Sequence, residues 1–150
     1  MCLHFSDFKL LRYRLGICEG SEEIPFGKVT PLEHNVEFMH GVSFHKGCYL
    51  GQELTARTHH TGVIRKRIMP LEFSQENLIL DGEQKIFNEN GKNVGIIRGI
   101  QGKFGIGLCR VEECLNAQKL TVFDSIQVNV TKPNWWPQIA PKTSRPKEIS

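Results

Sequence analysis

No apolar run in this chain approaches the roughly 20 residues that a membrane-spanning helix requires, so no membrane insertion is expected. The first residues, MCLHFSDFKLLRYRLG, lack the continuous apolar stretch of a secretory signal. They are basic but short of serine and arginine and carry an acid, a poor match to a mitochondrial presequence. An even cysteine set is also missing. The five cysteines, Cys2, Cys18, Cys48, Cys109 and Cys114, are odd in number and irregularly spaced. That excludes a simple disulfide scaffold and points to thiols in a reducing compartment. Neither a Ser/His/Asp set nor paired carboxylates occur at convincing catalytic spacing, so the residues point to no enzyme and none is expected. No internal repeat is visible.

What is present is an ordinary globular composition. Of the 150 residues, 39% are hydrophobic and 23% charged, with a formal net charge of +3. A chain of this length can bury a sizeable core. The mild basicity favours acidic partners slightly and gives no ground for nucleic-acid binding.

Residues 8–18 carry Phe8, Leu11, Leu15 and Cys18 at helical spacing. GSEEIPFGKVTP (20–31) reads as a glycine- and proline-rich loop, and PLEHNVEFMHGV as a short helix stopping near Gly41. A further helix is expected from about Gly51 to Thr61. After Gly62 the chain turns β-leaning, with runs at 63–73, 84–100, 103–111, 119–123 and 125–132. Asn90-Gly91 signals a type I′ hairpin, and VEECLNAQ a helical turn between strands. The glycines of GIIRGIQGKFGIG (95–107) lack the strand–turn–helix setting of a dinucleotide site and predict a hairpin or bulges. Five or six short strands suggest a small antiparallel Greek-key barrel or sandwich. The polar, proline-rich tail from Pro137 is expected to be disordered.

The densest chemistry lies in FHKGCYLGQELTARTHH (44–60). Cys48 sits just before the expected helix start with Lys46 two residues away, and both a cation and a helix N-terminus favour a thiolate. No carboxylate falls between Glu53 and Glu72, whereas Arg57, Arg65, Lys66 and Arg67 do, so the neighbourhood is electropositive if these side chains converge. Gly47 and Gly51 permit a tight turn or the close approach of another molecule. Gln52 and Glu53 suit free backbone donors at the helix start or a ligand. On residue chemistry alone, Cys48 is either a functional thiol or a buried structural one. His59 and His60 offer metal ligands beside it, although adjacent histidines on a helix diverge and rarely serve one ion. A lone thiolate cannot hold an iron–sulfur cluster, so a partner would have to supply the remaining ligands.

KGCYLGQE (46–53) resembles the K-G-C-[YF]-x-G-Q-E signature of the folate-binding YgfZ family, relatives of the glycine-cleavage aminomethyltransferase. The run GVSFHKGCYLGQELTARTHHTGVIRKRIMP (41–70) and the late PNWWP (133–137) are similar to its mitochondrial branch, which supports late maturation of [4Fe-4S] proteins. The resemblance implies an α+β fold: residues 1–61 as a remnant of the aminomethyltransferase-like α/β body, 62–132 as a C-terminal antiparallel barrel, and 133–150 as a Trp-Trp segment and tail. It implies that Cys48 ligates an iron–sulfur cluster shared with an A-type carrier protein, in the mitochondrial matrix. Lys46, Gly47, Tyr49, Gly51, Gln52 and Glu53 would shape the loop. Family members carry a substantial portion ahead of this region, so the chain reads as a C-terminal portion in which tetrahydrofolate would lose most of its pocket. The rival readings are a tetrahydrofolate-dependent one-carbon transferase and a truncated form without function.

Other features are read more plainly. Strand alternation places Arg65 and Arg67 on one face and Lys66 on the other, which favours a solvated strand start over a phosphate-binding stripe. One of Trp135 and Trp136 is expected to pack on the barrel and the other to face outward. Cys109 and Cys114 are expected as packing thiols, and His34, His40 and His45 as surface or loop histidines.

Overall fold

The computed structural model describes residues 5–138. Its centre is a closed antiparallel barrel of β1 (Lys66–Phe73), β2 (Lys85–Asn88), β3 (Asn93–Gln101), β4 (Phe104–Arg110), β5 (Leu120–Val122) and β6 (Ile126–Val130). The spatial order is β1-β4-β3-β2-β5-β6, and β6 returns to pair with β1. Strands β2, β3 and β4 follow one another and β1 lies beside β4, which is the Greek-key arrangement expected. Closure leaves no sheet edge open. The helices are α1 (Phe5–Leu15), α2 (Gly20–Glu23), α3 (Gln52–Thr61) and α4 (Val111–Asn116). Together they make the α+β fold.

Strand β1 explains how the two layers meet. Met69, Leu71 and Phe73 enter the barrel core with Ile86, Val94, Ile97 and Val128. Ile68 belongs to a second cluster with Ile106, Leu108 and Tyr13 of α1. The strand is buried on both faces because the barrel fills one and α1 covers the other, so the two-residue alternation of a half-exposed strand disappears. Gly99 makes this close approach possible: a Cβ there would fall on the Tyr13 ring. Gly105 is equally crowded, with the Gly99 carbonyl oxygen 2.6 Å from where its Cβ would stand.

Several local expectations need correction. The segment 31–41 is a series of turns, not a helix, because Asn35 and His40 adopt φ of +60° and +57°. The Val36 amide donates to the Pro31 carbonyl and the Gly41 amide to the Val36 carbonyl, closing each loop of chain in turn. The Asn90-Gly91 turn is not type I′, since Gly91 has φ +70° while Asn90 does not cross to positive φ. Instead the Gly91 amide closes a turn on the Asn88 carbonyl at 2.9 Å, and Asn88 Oδ1 accepts from the amides of Asn90 and Lys92. This is the longer hairpin in which a turn is followed by a left-handed glycine. The first helix begins and ends earlier than its spacing implied, at Phe5–Leu15, and four residues of the expected 20–31 loop form α2. The β3–β4 hairpin and a bulge between Ile97 and Gly99 account for the glycines of 95–107. Most of the tail expected to be disordered, residues 139–150, lies outside the described residues, as does Cys2.

Two buried ion pairs organise the leading residues, the first within them and the second joining them to the barrel. The Glu23 carboxylate accepts from Arg12 at 2.8 and 3.1 Å, from the Tyr13 hydroxyl at 2.7 Å and from the Glu19 amide at 2.6 Å. Burial alone would raise its pKa, but these hydrogen bonds and the Arg12 charge outweigh burial and hold it below the ordinary carboxylate value. Glu23 in turn holds the Arg12 pKa above its ordinary value. In the second pair, Arg67 on β1 donates to Glu37 at 2.7 Å, to the Leu32 carbonyl at 2.9 Å and to Asn35 Oδ1 at 3.2 Å. Its guanidinium also lies 4.1 Å from the Phe38 ring centre and 5.7 Å from that of Trp136.

Candidate functional site

The motif loop runs from Phe44 to Gly51 and delivers the chain into α3. Gly51 stands at φ +81° immediately before the helix, a conformation that favours glycine. Gln52 Oε1 accepts the Tyr49 amide at 3.1 Å, the reciprocal half of a capping arrangement, while the Gln52 amide donates to the Tyr49 carbonyl. Gln52 therefore serves the backbone, as one of its two expected uses required. Glu53 is exposed and pairs weakly with Arg57 at 3.9 Å, one helical turn on. Phe44 stacks on His59 with ring centres 3.8 Å apart and meets His60 edge-on at 5.9 Å, which holds the start of the loop against the helix.

Cys48 lies on the exposed crown of this loop as a free thiol. Gly47 beside it has open space where a Cβ would stand. The bland alternative of a buried structural cysteine at 48 is therefore wrong for this conformation. Lys46 and Tyr49 turn toward a cleft of about 540 Å³ between α3 and the 29–43 segment, whose walls include Leu32, Val36, Val42 and Leu54. The Tyr49 hydroxyl is buried there without a hydrogen-bond partner.

The expected electropositive convergence does not form. Arg57 faces Glu53, and Arg67 is buried in its pair with Glu37; Arg65 and Lys66 are exposed at the strand start. Arg65 and Arg67 thus differ in role, since Arg67 is enclosed by the 31–38 turns and Trp136. Among the described residues no three His, Cys, Asp or Glu side chains come together as metal ligands, so Cys48, His59 and His60 do not assemble into a mononuclear site. His34 lies in the 31–41 turns, a loop position as expected, yet is buried: its Nδ1 lies 3.1 Å from the Thr30 carbonyl, and burial lowers its pKa. His40 and His45 are exposed.

Among the other described cysteines, Cys109 and Cys114 are buried and Cys18 is half-buried. Cys109 and Cys114 sit in the barrel core, with the Cys114 thiol donating to the Val94 carbonyl at 3.4 Å. The contact with Cys114 and burial together hold the Cys109 thiol well above its ordinary pKa. Cys18 is pushed up to about 11, chiefly by burial. Trp136 packs in the core, and Trp135 donates its indole N–H to the Leu15 carbonyl at 2.7 Å, clamping the end of α1.

Sequence reasoning missed both buried ion-pair networks. A usable signal lay in IRKRIMPLEF, where an arginine leads an apolar run too continuous for a half-exposed strand. Such a run implies cover on both faces, and hence burial of that arginine.

Comparison with known proteins fits this geometry. Residues 65–138 match the family model described as the CAF17 C-terminal beta-barrel domain. The chain is 43% identical over 139 residues to the mitochondrial iron–sulfur cluster assembly factor IBA57 of Mus musculus, and 41% identical over the same length to that of Homo sapiens. Residues 65–138 thus carry the CAF17-type barrel, and the chain as a whole is similar to the IBA57 assembly factors. The aligned region takes in 89% of the chain but only 39% of the mouse or human protein, so the chain spans about two fifths of these relatives. A homologue of the same name in Mycosarcoma maydis is 58% identical over 67 residues, 45% of the chain and 17% of that protein. The fold is also that of a crystal structure of the glycine cleavage system aminomethyltransferase T from Bartonella henselae. That match has a TM-score of 0.58 at 16% identity and covers 86% of this chain and 38% of the other. These similarities agree with the family expected from KGCYLGQE and PNWWP.

Proposed function

We propose that the chain acts as an accessory factor in mitochondrial iron–sulfur cluster assembly, offering the Cys48 thiolate to a cluster shared with an A-type carrier in the matrix. The observation that carries this reading is the free, exposed thiol of Cys48 on the KGCYLGQE loop. Its full relatives are named as mitochondrial iron–sulfur cluster assembly factors, which supports the reading. With no further metal-ligand group among the described residues, this chain contributes one thiolate and the partner supplies the rest. Gly47 and Gly51 leave room around the sulfur for a second protein, and Lys46 adds a cation nearby. Tyr49 and Gln52 fix the loop to α3, and Glu53 completes its surface. The role asks for ligation and transfer of a cluster, not for transition-state chemistry.

Anaerobic reconstitution with iron, sulfide and an A-type carrier tests this, comparing the native chain with Cys48→Ser by visible absorption and size exclusion. A coloured heterocomplex that the variant loses is the expected result. Equal colour and equal complex in both would remove Cys48 as a ligand. Tight tetrahydrofolate binding with activity indifferent to Cys48 would instead favour the one-carbon transferase, and a folded chain that supports neither would favour a fragment without function.

A further inference from the structure

Two thiols meet at one corner of the barrel. Cys109 closes the apolar run of β4 and is fully buried, while Cys114, on the short α4 that follows, is 3% exposed. Cys109 stands directly across from Gly95 of β3. The Cys114 thiol donates to the carbonyl of Val94, the residue before that glycine, at 3.4 Å. The Cys109 thiol in turn donates to the Cys114 sulfur, a contact that lowers the Cys114 pKa and raises that of Cys109. The remaining described cysteines lie elsewhere: Cys48 on the exposed loop, and Cys18 against the cluster between α1 and the barrel. Packing accounts for a buried thiol taken singly. It asks for no contact between two of them across a strand-to-helix junction.

The helix between them gives that contact a use. It is six residues long, has no side-chain cap at its start, and Cys114 is its one buried residue. A helix so short is not stable by itself in water. Its ion pairs, Glu113 with Lys92 at 2.8 Å and with Arg110 at 3.5 Å, are partly solvated and contribute little. So α4 is a lightly anchored cover, and its local opening admits a small oxidant to both sulfurs.

We propose that Cys109 and Cys114 form a reversible dithiol–disulfide site that hydrogen peroxide oxidises and a low-molecular-weight thiol reduces, stapling α4 to the end of β4. The Cys114 thiolate attacks one peroxide oxygen; the O–O bond breaks, Cys114 becomes a sulfenic acid and hydroxide leaves. The Cys109 sulfur then attacks the Cys114 sulfur, the S–O bond breaks, and that oxygen departs as a second hydroxide. The two hydroxides take up the two thiol protons. Two thiols thus lose two electrons and two protons, and one peroxide yields two waters. Two equivalents of external thiol reverse the change through a mixed disulfide. Closure draws the sulfurs to about 2.0 Å, a movement that α4 supplies. The site is separate from Cys48 and does not rest on its role.

Peptide mapping tests it in the full chain carrying Cys48→Ser, which removes the exposed competing thiol. The folded chain is exposed briefly to hydrogen peroxide, and its free thiols are then alkylated in denaturant. The expected product is a peptide linking Cys109 to Cys114, lighter by two hydrogens than the reduced pair and reopened by glutathione. Hydrogen exchange of amides 112–116 should be roughly tenfold slower or more in the oxidised chain, with β1 unchanged. Cys109→Ala should leave a sulfenic acid at Cys114 that a cyclic diketone traps. Full alkylation of both thiols after peroxide would overturn the proposal, as would oxidation of each sulfur without a linking peptide. A link that forms only once urea has unfolded the chain would overturn it too, and so would unchanged exchange in α4.

Discussion

The barrel and the segment of residues 42–62 answer the same physical demands in opposite ways. In the barrel every strand has two neighbours, Ile86, Val94 and Met69 are fully enclosed, and glycines stand where chains nearly touch. In 42–62 the chain forms a helix with no buried residue from 52 to 60, and its glycines at 47 and 51 have open space where a Cβ would go. Glycine serves packing in the first region and access or turning in the second. A barrel can sacrifice little in volume without losing its core, while the loop can change shape at small cost. The contrast teaches that the stable part of this chain is a platform and the chemically dense part is mounted on it.

The largest expected effect tests the joint between the barrel and the 31–38 turns that lead into that segment. Arg67→Ala removes the cation that β1 shares with Glu37, Leu32 and Asn35, leaving the Glu37 carboxylate buried without its partner. A loss of about 3–5 kcal/mol in urea unfolding is expected. A loss below ~1 kcal/mol would mean that the 31–38 turns do not depend on the barrel.

Within the barrel, Met69→Ala should cost about 2–5 kcal/mol by leaving a core cavity, and Gly105→Ala about 1–3 kcal/mol by pressing on the Gly99 carbonyl and Phe73. Tolerance of both would show that the barrel is looser than its geometry.

Acid should act through the leading residues. The folded pKa of His34 is lowered, first by burial and further by Arg98, against the opposing pull of the Thr30 carbonyl and Glu33. That of Glu23 is lowered as well. For both groups the unfolded chain binds protons more readily, so their stabilisation is present above the unfolded values and fades as pH falls. The urea midpoint should decline below about the ordinary histidine value of 6.5 and again below the carboxylate value of 4.5. His34→Phe should flatten the first step, and a midpoint that rises between pH 6.5 and 5 would reverse the assignment.

The smallest effects belong to the loop. Gly47→Ala and Leu54→Ser should each change stability by no more than ~0.5 kcal/mol, because neither site is packed. A loss comparable to Met69→Ala at either position would erase the distinction between platform and mounted loop.

How much of this was legible beforehand depended on the range of the interactions. The strands after Gly62, the α3 helix and its glycine entry followed from local pattern. The same pattern left a Greek-key barrel or sandwich open, and the family resemblance chose the barrel. The 31–41 helix failed because left-handed Asn35 is held by the barrel: its side-chain amide donates to the Ile68 carbonyl at 2.9 Å, thirty-three residues away. The type I′ turn failed because the Asn88 side chain captures two turn amides and favours a longer loop. The burial of His34 was not legible because nothing local announces that the Thr30 carbonyl will face it in an enclosed space.

By itself the sequence determined the family, through KGCYLGQE and PNWWP, and the sites where glycine must turn the chain, since those depend on covalent structure and immediate neighbours. Only the tertiary structure decided which charges are buried, that Arg67 is a clamp and not part of a cationic patch, and that Cys48 stands exposed while Cys109 and Cys114 are enclosed. Burial and charge pairing come from segments distant in sequence meeting in space, and no local pattern carries that information.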